Sequence, residues 1–218
     1  MRKLIIVGAG EFGHIAYEAF QHDTEYDVSA FCVEKSFANS VNTDKPVIEF
    51  EKIREYAPPD EYDVFIAITH TNLNHERARL YNTCKRQGYH FASYISPHSF
   101  IGHHCKTGEN VFIFESVTVQ YYAEIGNCCV LWPGSVVAHR SIINDYCWLA
   151  PSVAVAGCCR VGKYCFLATN CTIGDNVHIP DKTVIGAASC IVKSPLKGEA
   201  VYVGIPGKLI EGKSPFSI

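Results

Sequence analysis

The sequence predicts two different architectures in one chain, an α/β Rossmann-like domain at the N-terminal end followed by a parallel β-helix. Two patterns carry that prediction. Up to about residue 94, β-rich runs alternate with helical stretches, and from residue 95 the period changes to six and holds for about a hundred residues. The change of period sets the boundaries: residues 1–94 form the first domain, 95–193 the β-helix and 194–218 a C-terminal tail.

In the first domain KLIIVGAG reads as a buried strand and EFGHIAYEAFQ as a helix. DVSAFCV is a second strand, EFEKIREYA a helix, YDVFIAI a third strand, NHERARLYNTCKRQG a helix and HFASYI a last strand. Strands separated by helices pair in parallel through crossover connections. VGAGEFGH sets Gly8, Gly10 and Gly13 in G-x-G-x-x-G spacing after the first strand, and Glu34 follows 21 residues beyond Gly13. Such a loop lets a phosphate approach the backbone at a helix N-terminus. About 94 residues hold one mononucleotide unit rather than the pair that grips a dinucleotide, so a single nucleotide is the expected ligand. The residues expected to bind it are Gly8, Gly10, Phe12, Gly13 and Glu34, with Thr69 and His70 where the third strand ends in AITHTN. His14 is expected to pack on its helix.

Of the 17 hexads from ISPHSF to IVKSPL, 16 begin with Ile, Val or Leu, and Thr107 is the exception. The fifth position is Ser, Cys, Val, Ala or Thr until Pro195. In a triangular prism of three hexads per coil, the first position fills the core and the fifth points inward near a corner, where only a small side chain fits. Cys105, Cys129, Cys147, Cys159, Cys165 and Cys171 all stand there. Free cysteine behaves as a small buried hydrophobe, so these six are expected to pack rather than to form disulfides or hold a metal.

A coil of three hexads stacks residues 18 apart. His139, within PGSVVAHRSIIND, therefore shares a column with His103 and Tyr121 on one side and with Gly157 and Asp175 on the other. An imidazole accepts and returns protons near neutral pH, which makes His139 a candidate base. The flat apolar faces of such a prism are covered by oligomerisation with closed symmetry, and a trimer with clefts between neighbours is expected.

Composition excludes other classes. With 19 Lys and Arg against 22 Asp and Glu, the formal charge of −3 supplies no basic field for nucleic acid or for an anionic membrane surface. MRKLIIVGAGEFG breaks into glycines too soon for a signal peptide or a membrane span, so the cytoplasm is the expected location. No metal is expected: no CxxC pair sits as a zinc ribbon requires, and His103 and His139 are two coils apart.

The hexads, the glycine-rich domain ahead of them and VYVGIPGKLI behind them resemble the bacterial nucleotide-sugar acetyltransferases of the sialic-acid O-acetyltransferase-like, hexapeptide-repeat family, over nearly the whole chain. The resemblance implies a left-handed β-helix, a homotrimer and an acetyl-CoA-dependent N-acetyltransferase without a metal. It also implies an acceptor that is the amino group of a UDP- or dTDP-linked amino-deoxy sugar, with the nucleotide on the N-terminal domain. VVAHRSIIND matches the family segment that carries the catalytic histidine. His139 would take the proton of the sugar's amino group as that group attacks the thioester, and return it to the leaving thiolate.

Relatives carry a carboxylate beside this histidine, where Ala138 and Arg140 stand here, leaving Asp145 and Glu124 as candidate orienting acids. By the same analogy Trp148, Gly157, Ala168 and Asn170 line the CoA channel, with Gly157 leaving room for the pantetheine arm. Lys193, Lys197 and Lys208 are candidates for the CoA phosphates. The alternatives are an O-acetyltransferase of sialic acid or a related sugar and, from another class, a non-enzymatic nucleotide-binding trimeric scaffold in which His139 is only a turn residue.

Overall fold

A computed structural model describes residues 2–217, with residues 39 and 40 in their backbone alone. The chain divides into two compact units. The first runs as far as Thr69 and resumes over Arg77–Tyr94, and the second comprises His70–Glu76 and the chain from Ile95 onward.

The first unit is a parallel sheet. Its strands β1 (Arg2–Val7), β2 (Tyr26–Val33), β3 (Val47–Glu49) and β4 (Tyr62–Ile66) lie in the order β3-β2-β1-β4. The apolar runs Leu4–Val7 and Val64–Ile66 are almost wholly buried, as strands inside a parallel sheet must be. Helix α1 (Glu11–Asp23) buries Phe12, Ala16 and Phe20, one face at helical spacing. NHERARLYNTCKRQG forms its helix over His75–Arg86.

The sequence expectation differs from the structure at EFEKIREYA, which is not one helix. Its first residue ends β3, followed by a 3-10 turn over Phe50–Lys52 and a single α turn over Ile53–Tyr56. Val47 and Ile48 pair with Phe31 and Cys32, while Pro58 and Pro59 stop the helix after one turn. HFASYI is likewise fragmented, into a bridge from Phe91 to Val64 and a two-residue strand at Tyr94–Ile95.

The second unit is a left-handed parallel β-helix of three sheets with eight, five and six strands. Its rungs pair residues 18 apart: Val136 with Ala154, Ile142 with Arg160, Trp148 with Phe166. First-position residues from Val119 to Ile173 are at most 3% exposed. The tail continues the eight-stranded sheet, Ala200–Gly204 pairing in parallel with Thr183–Ile185 and Gly207–Leu209 folding back antiparallel.

The fifth position does more than fill space. Cys129, Cys147, Cys159 and Cys165 each direct Sγ at the carbonyl 15 residues on, at 3.0 to 3.2 Å. Ser135 and Ser141 do the same through Oγ at 3.1 and 2.7 Å. Where the small residue is Ser or Cys it therefore also satisfies a corner carbonyl, a role that Val and Ala at the same position do not fill.

Every fourth position from His104 to Ala188 has positive φ, between 53° and 63° at the non-glycine residues. This left-handed conformation costs about 1–2 kcal/mol for an L-residue. It turns the chain at each corner and lets the N–H of the fourth position donate to the third-position carbonyl of the preceding coil, as Cys158 does to His139 at 3.0 Å.

His70–Glu76 docks on this unit. Leu73 is fully buried with Val184 and Val201, and Phe166, Ile210 and Phe216 pack against them. Asn74 Nδ2 donates to the Cys165 carbonyl at 3.4 Å, and the His75 ring stacks on Tyr164 with centroids 4.5 Å apart. Asn72, Leu73 and Asn74 all have positive φ, an unusual left-handed turn for three consecutive L-residues.

Candidate active site

His139 stands at the corner between the six-stranded sheet, which it leaves after Val136–Val137, and the five-stranded sheet, which the chain enters at Ile142–Ile143. Its backbone is held at both ends: its N–H donates to Gln120 Oε1 at 3.1 Å and its carbonyl accepts from Cys158. The side chain is exposed, and among the described residues the imidazole makes no hydrogen bond or ion pair.

The ring lies over Gly157. A Cβ added there would be 2.6 Å from Cε1 and 2.8 Å from Nε2 of His139, inside contact distance. On the other side of Gly157, the same Cβ would be 3.2 Å from Asp175 Oδ1, which accepts the Gly157 N–H at 3.0 Å. The column that the 18-residue period predicts is thus present in space.

Beside it runs a second column at the fourth positions. The His104 and Tyr122 rings are stacked at 5.2 Å and 7°, and the Arg140 guanidinium sits 4.8 Å over Tyr122. The 18-residue period placed Asp175 in the His139 column from sequence, but Gln120, 19 residues before His139, and Tyr122, 18 before Arg140, were missed, although the same count would have found them.

Neither candidate orienting acid reaches His139. Asp145 stands at the next corner along the chain, where its carboxylate pairs with Lys163 Nζ at 2.9 Å and accepts from the backbone N–H and Nδ2 of Asn127. Burial raises its carboxyl, but the hydrogen bond from Lys163 and those from Asn127 hold it below the ordinary value. Glu124 pairs with Lys106 at 2.9 Å. Each acid is taken by the cation one coil away, a competition that no spacing from His139 reveals.

The expected CoA contacts divide in the same way. Gly157 is under the His139 ring. Trp148 belongs to the eight-stranded sheet, is 4% exposed, and has Trp132 and the docked His70 against its ring at 5.7 and 5.4 Å. A side chain so covered does not line a channel at the His139 corner. Ala168 and Asn170 stand at the corner between the eight- and six-stranded sheets, away from His139 on the same chain.

In the first unit, Gly8 has φ of +113°, and a Cβ on it would meet the Ala67 carbonyl oxygen at 2.6 Å, so only glycine lets β1 end this close to β4. Gly10 caps α1 with open space around it, and Gly13 lies against the Gly8 carbonyl. Phe12 departs from expectation: it is 2% exposed and packs edge-on to Phe65, so its ring serves the core rather than a ligand. Glu34 is engaged by Arg79 at 2.9 Å. The Thr69 carbonyl accepts from the buried Arg77, while His70 lies in the other unit, against Phe166 at 4.5 Å. His14 packs on Phe31 at 5.2 Å.

Residues 90–202, which take in every hexad, match the GMPPB C-terminal domain family. The chain belongs to that family. Ahead of the GMPPB-type β-helix, residues 3–84 match the PglD N-terminal domain family. No curated protein matches the chain in sequence.

Among solved structures, the fold is that of a histidine-to-asparagine mutant of perosamine N-acetyltransferase from Caulobacter crescentus in complex with CoA and GDP-perosamine. That protein is 22% identical, with 96% of this chain and 97% of that one covered, at a TM-score of 0.83. The acetyltransferase domain of PglB from Neisseria gonorrhoeae in complex with acetyl coenzyme A is similar at 18% identity, 96% and 99% coverage, and TM-score 0.85. WeeI from Acinetobacter baumannii is similar at 20%, 96% and 100%, and 0.82. In this GMPPB-type chain no group of three or more His, Cys, Asp or Glu among the described residues is placed to hold a metal, and no described helix is long and apolar enough to cross a membrane.

Proposed function

We propose that the chain is an acetyl-CoA-dependent N-acetyltransferase acting on the amino group of a UDP- or dTDP-linked amino-deoxy sugar, with His139 as the general base. The observation that carries this reading is the open imidazole of His139 laid over the side-chain-free Gly157. An exposed imidazole without a hydrogen-bonded partner among the described residues, seated on a glycine at a corner, suits an acceptor amine and a thioester meeting there. The neighbours held with CoA, acetyl-CoA or GDP-perosamine support the class of reaction.

The amine attacks the thioester carbonyl, a C–N bond forms and the C–S bond breaks. His139 removes the amine proton and delivers it to the departing thiolate. The PglD-type domain supplies the nucleotide site at the Gly8–Gly13 loop, where N–H groups at the start of α1 meet phosphate. Because Ala168 and Asn170 occupy a different corner from His139, a CoA site that uses both needs two chains, which supports a homotrimer with its clefts between neighbours. The proposed location is the cytoplasm.

Thiol release from acetyl-CoA, measured with UDP-, dTDP- and GDP-amino sugars and with free sialic acid, tests the acceptor. His139→Ala is expected to lower turnover with the amino sugar by about 10²- to 10⁴-fold with little change in stability. Turnover of free sialic acid alone would favour O-acetylation, and an unaltered His139→Ala would leave the histidine a turn residue.

A further inference from the structure

The two acids expected beside His139 are committed elsewhere, yet the ring has an acid beyond its glycine. The Cβ position of Gly157 lies 2.8 Å from Nε2 of His139 and 3.2 Å from Oδ1 of Asp175. Those two atoms are therefore no more than about 6 Å apart, close enough for the carboxylate to act on a charge formed at the ring during the reaction. No side chain stands between them, because the intervening residue is glycine.

We infer that Asp175 is a positioning residue for His139, its carboxylate stabilising the imidazolium formed when the ring takes the acceptor proton. This inference rests on the reading of His139 as base. Three observations support the assignment. The Gly157 N–H fixes the carboxylate at 3.0 Å, so the charge has a defined place. The charge is not needed for the turn: Asn127, a neutral amide at the corresponding place in its own hexad, accepts the Glu109 N–H at the same 3.0 Å. Asp175 also pairs with no cation among the described residues, whereas Asp145, in an equivalent hexad position, is neutralised by Lys163. An acid at the corner is thus structurally replaceable by Asn, and at residue 175 alone it faces the candidate base across bare backbone. Arg140, the residue after His139, bears the same sign as the imidazolium and supplies none of this stabilisation.

Asp175→Asn tests the inference, because the amide oxygen can still accept the Gly157 N–H while the charge is lost. The expected result is a loss in kcat of about tenfold, with KM for acetyl-CoA and acceptor within about twofold and an unaltered Tm. In the His139→Ala background the same substitution should add no further loss, since the two residues act as one unit. Wild-type kcat in Asp175→Asn beside a crippled His139→Ala would reduce Asp175 to a turn residue, and a full tenfold loss persisting without His139 would place its action elsewhere. A wild-type protein that transfers no acyl group would instead defeat the proposed function itself, and this inference with it.

Discussion

Gly157→Ala separates catalysis from folding at a single atom. The added Cβ would lie 2.6 Å from His139 Cε1, whereas ordinary contact begins at 3.4 Å, so the ring must retreat by about 0.8 Å. The obstacles are the exposed end of the His139 side chain, which can rotate away, and Asp175 Oδ1 at 3.2 Å, on an exposed side chain that needs to give by only about 0.2 Å, and Gly157 is not in the left-handed region, so alanine strains no backbone dihedral. Folding is therefore expected to be unharmed, and Gly→Ala at a compatible position contributes up to about 0.4–1 kcal/mol through the unfolded chain. Misplacing a catalytic group by about 1 Å costs on the order of 10²-fold in rate. The assay is kcat from thiol release beside Tm from calorimetry, with the expectation of a roughly hundredfold loss at an equal or higher Tm. Wild-type turnover in Gly157→Ala would refute the claim that the ring works from its place over this glycine.

Two further predictions concern the scaffold. The Asp145 carboxyl is held below its ordinary 3.8 chiefly by Lys163, with burial working against the shift, so its contribution is full above that value and is lost as pH falls through the lower folded value. Asp145→Asn should accordingly lower Tm by about 2–4 °C at pH 6, consistent with about 1 kcal/mol, and the gap should close as the pH is taken toward 2; a gap independent of pH would assign the effect to shape rather than charge. At the fifth position, Cys147→Ser should keep stability within about 1 kcal/mol, because the hydroxyl can reach the Gly162 carbonyl, while Cys147→Leu should cost about 1–3 kcal/mol by overpacking, and equal melting curves for the two would disprove the size limit.

Much of the β-helix was legible because its rules are local and repeat. A branched aliphatic every sixth residue names the core, a small residue at the fifth names the corner, and the count of 18 alone brings His139, Gly157 and Asp175 together. The ends of β1 and α1 were readable for the same reason, since Gly8 and Gly13 solve a backbone contact that only glycine permits. The helix expected over EFEKIREYA was cut short because Glu49 pairs with Val33 at the end of β3 and Pro58 and Pro59 follow after a single α turn.

By itself, then, the sequence determined where every hexad side chain points and which residues share a column, because the repeat leaves a coil no freedom of register. Only the tertiary structure decided which charges are already spent. Lys163 takes Asp145, Lys106 takes Glu124, Arg79 takes Glu34, and the segment His70–Glu76 covers Trp148 with an imidazole. Those choices depend on competition among partners brought together in space, and the strongest of them sets what remains for His139.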